Sequence, residues 1–406
     1  MKKTIKLVAL LLFIMIVGGF AGFVTQAIVV PWLASVPKLK NNVLLRKAND
    51  RTTVINKTEQ ITVKEDFSVT KTAERVLPAM VSIVAVEERK SESSLGSSEV
   101  RSAQDEKGLT IESSKQIEES VKTGVVISSD GLIVSVKDNT ARVEKDIKFK
   151  YKVLMPNGRE AEAELVAIDS YSGLAFYKAL GVNNLSVAPF GEDGDLIAGE
   201  KLVLIGNSGG EYRNNFSVGI ISLLDRTFSL LNSELSSSEK MEGAVIVEAK
   251  INRQNIGGPA VDFAGFMAGI AAETEKNGEK VGFVIPISVV KGAMERYLAE
   301  GKIERPSLGV YYLSINREIA LLNNLPLEKG ALIYSFSGQQ GLAVVKGSAA
   351  EKAGLKLGDI ILAVNDEEID LDNPLSKLIA EKKKGDKVEL KVWREGDEIN
   401  LTAQLL

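Results

Sequence analysis

Residues 124–136 read GVVISSDGLIVSV. Two runs rich in β-branched residues flank Ser129-Asp130-Gly131, and that turn signal predicts a tight β-hairpin. The same grammar repeats outward from it. Upstream, residues 80–86 (MVSIVAV) read as a strand. Downstream come KYKVLMPNGREAEAELVAID, GLAFYKAL, KLVLIGN, SVGIISLL, GAVIVEA, GFMAGIAAE and VGFVIPI, with a second hairpin turn at Pro156-Asn157-Gly158. Short strands this closely spaced predict an all-β barrel or double barrel. Residues 72–77 predict a short helix stopped by Pro78. Residues 87–120, rich in Ser, Glu and Lys, read as a long solvated loop.

Beyond the barrels, residues 289–300 predict a helix and 301–306 a linker. Residues 307–406 form a further unit. LGVYYLSI, GALIYSF and DIILAVNDEEI read as strands, REIALLNNL and PLSKLIAEKKK as helices, and the last residues as a hairpin around Glu395-Gly396. This mixture predicts an α+β module.

The N-terminus differs from the rest. Lys2, Lys3 and Lys6 precede an uncharged apolar stretch over residues 7–30, long enough to span ~30 Å of hydrocarbon. Pro31-Trp32 fits an interfacial stop. A cleaved signal peptide is the other reading, with Thr25-Gln26-Ala27 as its weak cleavage match. The apolar Ile28-Val29-Val30 after it suits an uncleaved anchor better. The lysines would keep the N-terminus inside, making this a single-pass membrane protein with its bulk outside the cytoplasm. The expected organisation is a membrane anchor over 1–32, a stalk over 33–70, the double barrel over 71–303 and the α+β module over 304–406.

Composition closes several routes. The 406 residues carry a net charge of −4, so no basic footprint points to nucleic acid. There is no cysteine and no histidine. That excludes disulfides, thiolate metal sites, Cys nucleophiles, a Ser-His-Asp triad and His-ligated metals. No cofactor and no metal site is expected.

Residues 348–361, SAAEKAGLKLGDII, with Val364-Asn365 after them, resemble the SPAAKAGLKPGDVI run of PDZ domains. Ser307-Leu308-Gly309-Val310 stands where that family has its carboxylate-binding loop. The resemblance implies that backbone amides there hold a peptide's terminal carboxylate, with the next strand pairing with the peptide. Leu375, Leu378 and Ile379 share one helix face by their spacing. That face either lines the groove or only fills the core. If it lines the groove, a peptide adds along residues 310–313 with micromolar affinity. A charged residue at position 375 should then weaken binding and leave the domain folded.

A barrel region before such a module resembles the HtrA family of serine proteases, over roughly residues 71–406. Residues 123–131 are similar to its GSGVIISSDGYI, Asn157-Gly158-Arg159 to DGRE, Gly206-Asn207 to GNPxG, residues 255–259 to GNSGGP and 282–287 to GFAIPI. The resemblance implies a chymotrypsin-like double barrel and a homotrimer. It also implies work on peptides or unfolded proteins in envelope protein quality control.

The catalytic residues do not carry over. Asp138 stands at the family's His position, Gly173 at its Asp position and Ile256 at its Ser position. Gln254 replaces a Gly of the oxyanion loop. If that Gly needs positive φ, Gln is costly there. These residues imply a pseudoprotease. Two alternatives are an active serine endopeptidase and a non-catalytic subunit of an active paralogue. Gly206-Asn207-Ser208-Gly209-Gly210 spells a nucleophile motif, but it falls at the earlier GNPxG turn and reads as a plain glycine-rich turn. A Ser-Lys dyad with Lys137 or Lys201 would be its one sensible rescue.

Overall fold

The computed structural model describes residues 2–29, 32, 65–88, 120–137, 148–192, 194, 196–207, 214–230, 235–276 and 279–406. Six strands close the first barrel: β1 (Met80–Glu88), β2 (Ser120–Ser128), β3 (Leu132–Val136), β4 (Lys148–Leu154), β5 (Glu160–Ile168) and β6 (Leu174–Ala179). Around the barrel they run β1-β2-β3-β6-β5-β4. The 124–136 hairpin is β2–β3, antiparallel with Val125 opposite Val134. Leu132, Ile133 and Val134 are all buried, because closure packs one face inward while the other meets neighbouring structure.

The second barrel comprises β7 (Lys201–Gly206), β8 (Asn215–Ser229), β10 (Glu242–Glu248), β11 (Pro259–Val261), β12 (Met267–Lys276) and β13 (Glu279–Pro286). Its order is β10-β13-β12-β11-β7-β8. The double-barrel expectation is met. The short β9 (Ser236–Ser237) lies between β8 and β10 in the chain but joins neither barrel.

β9 instead extends the C-terminal sheet. That sheet runs β19-β18-β16-β15-β14-β9, with β14 (Tyr311–Ser314), β15 (Ala331–Ile333), β16 (Ile360–Val364), β18 (Lys387–Arg394) and β19 (Asp397–Gln404); β17 (Glu367–Glu368) pairs with β16. One cluster fills this unit's core, including Leu308, Val310, Tyr312, Ile361, Leu375, Leu390 and Val392.

Several bounds differ from the sequence reading. The expected strand over 308–315 forms as a strand only over Tyr311–Ser314, while Val310 makes a single bridge to Val344. The helix of PLSKLIAEKKK stops at Ala380. A helix begins at Glu65, inside the expected stalk, and ends at Val76 in a 3-10 turn over Leu77–Ala79 carrying Pro78. Most of the expected 87–120 loop lies outside the described residues.

At the N-terminus a helix spans Lys2–Val24 and continues as a π-helical turn over Thr25–Val29. The large apolar side chains from Leu10 to Phe23 are exposed. Among the described residues no helix is long and apolar enough to cross a membrane.

Candidate functional site

The cleft lies where the first-barrel turn between β5 and β6 meets the second barrel. Its lining includes Lys137, Asp169, Ser172, Gly173, Lys240 and Glu273. The Lys137 amide donates to the Gly173 carbonyl at 2.8 Å, which sets the end of β3 beside Gly173. Asp138 itself, the next residue, lies outside the described residues. Gly173 takes φ +78°, and a Cβ built on it would meet nothing within 4 Å. The open space beside Gly173 faces a backbone that side-chain-bearing residues rarely adopt.

Ile256 sits in the turn between Ile251 and β11. The following glycine, Gly257, approaches so closely that a Cβ would stand 2.3 Å from the Ser135 hydroxyl of β3. The Gly173 and Ile256 positions thus come to the same end of the first barrel. Ile256 is half-buried rather than buried. Replacing Ile256 with Ser should therefore cost less than the ~2–5 kcal/mol of a fully buried aliphatic. A urea-unfolding midpoint shift corresponding to more than that lower bound would contradict it.

The oxyanion loop corrects one expectation. Gln254 is not strained: among the described residues the non-glycine positions with positive φ are Asn184, Asn324, Asn365, Asp366 and Glu395. The loop folds on itself instead. The Gln254 amide donates to the Asn252 Oδ1 at 2.9 Å, and the Asn255 amide donates to the Asn252 carbonyl at 2.9 Å. The Gln254 carbonyl accepts from Thr123 Oγ1 at 2.8 Å. An amide committed to its own turn is not aimed at a developing oxyanion. The Gln254 amide is thus already donated within its own turn, and the backbone there carries no positive-φ strain.

Ser208 lies outside the described residues. Lys201 begins β7, whose far end at Gly206 precedes the serine. Five residue steps of strand set Lys201 roughly 16–17 Å from Gly206.

Beside the cleft, Asp169 is fully buried and is gripped by Arg305 of the linker, Nε to Oδ1 at 2.9 Å and Nη2 to Oδ2 at 2.7 Å. Burial pushes the carboxyl pKa upward, but Arg305, Ser172 Oγ and the Tyr171 amide outweigh that and hold it below the usual range. The same guanidinium donates to the Ala380 carbonyl at 3.2 Å, at the end of the helix Leu375–Ala380.

The second expected site is in the C-terminal unit. Leu308, Val310, Leu375, Leu378 and Ile379 are all at most 1% exposed and share one core. Leu375 is too deeply buried to accept a charge. The expectation that a charged residue there leaves the domain folded is corrected: it would place an unpaired charge in the core. Gly309 takes φ +83°, and a Cβ there would stand 2.3 Å from that of Ser348, so the loop's turn requires glycine.

The amides of this loop are occupied. Leu308 N and Gly309 N donate to Glu239 Oε1 at 3.1 and 2.7 Å. Gly309 N and Val310 N also donate to Ser238 Oγ at 3.2 and 3.1 Å. The loop does hold a carboxylate, and it belongs to the chain's own β9 segment. Close by, the buried Glu242 carboxylate accepts from Tyr312 at 2.5 Å and from Ser314. Burial, then that carboxylate, push the Tyr312 hydroxyl far above its ordinary pKa.

Ser238 and Glu239 escaped the sequence reading. Their partners lie about 70 residues away, and a polar Ser-Ser-Ser-Glu run between strands carries no periodicity that would mark it.

A family model described as a trypsin-like peptidase domain matches residues 122–270, and one described as a PDZ domain matches residues 308–405. The serine protease Do-like HtrA of Bacillus subtilis (strain 168) is 31% identical over 354 residues, covering 84% of this chain and 73% of that protein. A probable periplasmic serine endoprotease DegP-like of Bartonella henselae is 32% identical over 290 residues, 70% of this chain and 52% of its own length. The chain therefore spans about half of that DegP-like relative. Among solved structures, the HtrA-type protease AlgW with a tripeptide aligns with a TM-score of 0.61 at 24% identity, over 83% of this chain and 96% of that one. AlgW with a decapeptide aligns with a TM-score of 0.59 at 23% identity, over 83% and 97%. These likenesses establish the fold.

Proposed function

Since the chain belongs to the HtrA family of serine proteases, with a trypsin-like domain followed by a PDZ domain, we propose that it works as a membrane-anchored pseudoprotease. Its PDZ domain binds peptides or protein C-termini outside the cytoplasm, in envelope protein quality control. The observation that carries this reading is the pair of amides at Leu308 and Gly309 converging on one carboxylate oxygen. Oriented amides in a turn favour an anion, and the adjoining strand β14 offers main-chain pairing to an extended segment. Asp138, Gly173 and Ile256 leave the double barrel without a nucleophile or a base, so its role is that of a scaffold.

Binding is tested by fluorescence polarisation of the full chain in detergent against paired peptides, one a free acid and one amidated. Peptides ending in an apolar residue should bind as free acids with micromolar to weaker affinity, and amidation should weaken them by about tenfold, the worth of a charge-assisted bond. Equal binding of both forms would end the carboxylate reading.

The anchor rests on the uncharged stretch 7–30 and on the exposed apolar side chains of the N-terminal helix. In fractionated cells the protein should stay with the membrane pellet through alkaline carbonate extraction. Release by carbonate would remove the anchor and leave the peptide-binding reading in place.

A further inference from the structure

Between β8 and β10 the chain leaves the second barrel, crosses to the C-terminal unit and returns. We propose that the Ser236-Ser237-Ser238-Glu239 segment is a ligand in cis for the PDZ groove. Its Glu239 side chain stands in for a peptide's terminal carboxylate and keeps the groove closed until a competing carboxylate displaces it. The proposal rests on the reading of that groove as a peptide site.

Three observations carry it. The first is direction. β9 pairs antiparallel with β14, Ser236 opposite Tyr312 and Ser237 opposite Tyr311, and the Ser238 amide donates to the Val310 carbonyl at 3.1 Å. The segment therefore runs along the edge strand toward the 307–310 loop, as a peptide ending in that loop would.

The second is the saturation of the carboxylate. Glu239 Oε1 accepts from Gly309 N, Leu308 N, Ser307 Oγ at 3.2 Å and Ser238 Oγ at 2.7 Å, while Oε2 accepts from Ser237 Oγ at 2.9 Å. Each of these donors is an amide or a hydroxyl. A surface glutamate that merely lay nearby would make one or two such bonds.

The third is what the segment lacks. Ser236, Ser237 and Ser238 are all buried beside the 309–312 backbone, yet each offers only a hydroxymethyl group. The segment holds the carboxylate position firmly and contributes little apolar contact. A peptide with the same carboxylate and an apolar last residue would bind more tightly per molecule. The cis segment prevails by proximity, because a tethered ligand acts at millimolar effective concentration. Only the fraction of molecules with the segment undocked accepts a ligand in trans, and the apparent affinity falls by that fraction.

The test compares wild type, Glu239→Ala and Glu239→Gln as full chains in detergent. One measurement is amide hydrogen exchange at residues 308–313, with β18 as the control for global folding. Loss of the charge-assisted bonds should raise exchange at 308–310 by about 10- to 100-fold in Glu239→Ala, less in Glu239→Gln, with β18 unchanged. The other measurement is polarisation with a free-acid peptide ending in an apolar residue, which should bind Glu239→Ala at least about tenfold more tightly than wild type. Unchanged exchange at 308–310 in Glu239→Ala would overturn the cis ligand, and so would equal peptide affinity in a variant that does bind. Faster exchange without any peptide binding would keep the cis ligand and remove the peptide-site reading instead. Should Glu239→Ala lose protection at β18 as well, Glu239→Gln decides: it keeps the shape, and protection at 308–310 equal to wild type would overturn the proposal.

Discussion

Casein incubated with the full chain should stay intact, and a fluorophosphonate probe should leave the chain unlabelled. The expected deficit is large. Loss of a whole triad costs about 10⁶-fold in rate, and what survives elsewhere depends on the oxyanion hole. On this reading the hole also lacks a donor, since the Gln254 amide already donates to Asn252 Oδ1. One missing oxyanion donor costs a further ~10²–10³. Rebuilding follows the same arithmetic. The triple variant Asp138→His, Gly173→Asp and Ile256→Ser should give at most weak turnover. Position 173 needs φ +78°, which an aspartate tolerates poorly, and the 252–255 turn still holds its own amides. Adding Gln254→Gly should raise the rate, because glycine permits the turn to open. Robust proteolysis from the triple change alone would refute the oxyanion argument. Probe labelling of the wild type at Ser208 would revive that serine as a nucleophile.

Legibility differed between fold and site for a physical reason. The hairpin at residues 124–136 and the turn at Glu395-Gly396 are local. Strand runs and turn residues specify them within a dozen positions, and both form as the sequence predicts. That no Ser-His-Asp triad can be built is read from composition alone, since the chain has no histidine. The oxyanion loop was legible only as a change of residue, not in its backbone conformation. Sequence reasoning sees a Gln at a Gly position and infers strain, whereas the chain relaxes into a turn closed by Asn252. The engagement of the 307–310 loop by Glu239 was not legible. Glu239 meets Gly309 across 70 residues, and neither residue's neighbours announce the pairing. Nor did the pattern separate groove from core at Leu375, since a shared helix face has the same spacing in either case.

The Asp169–Arg305 pair makes the sharpest stability prediction. Asp169 has no exposed side-chain surface, and Arg305 grips both of its oxygens while also holding the Ala380 carbonyl. The substitution Arg305→Met strands a buried carboxylate and should cost about 3–5 kcal/mol in unfolding at neutral pH. The double change Asp169→Leu with Arg305→Met removes the stranded charge and should recover most of the loss. Acid sharpens the test. In the wild type the pair holds the Asp169 pKa down, so its stabilisation is complete above the ordinary carboxylate value of about 4 and is lost as pH falls through the depressed value. In Arg305→Met only Ser172 Oγ and the Tyr171 amide still oppose burial, so that pKa rises relative to the wild type, and the penalty is largest at neutral pH and shrinks as the carboxyl takes up its proton. The gap between the two proteins must therefore narrow on acidification from both sides, and urea unfolding at stepped pH reads it directly. A gap that stays constant from pH 7 to pH 4 would mean that the loss came from the Ala380 contact and not from the buried charge.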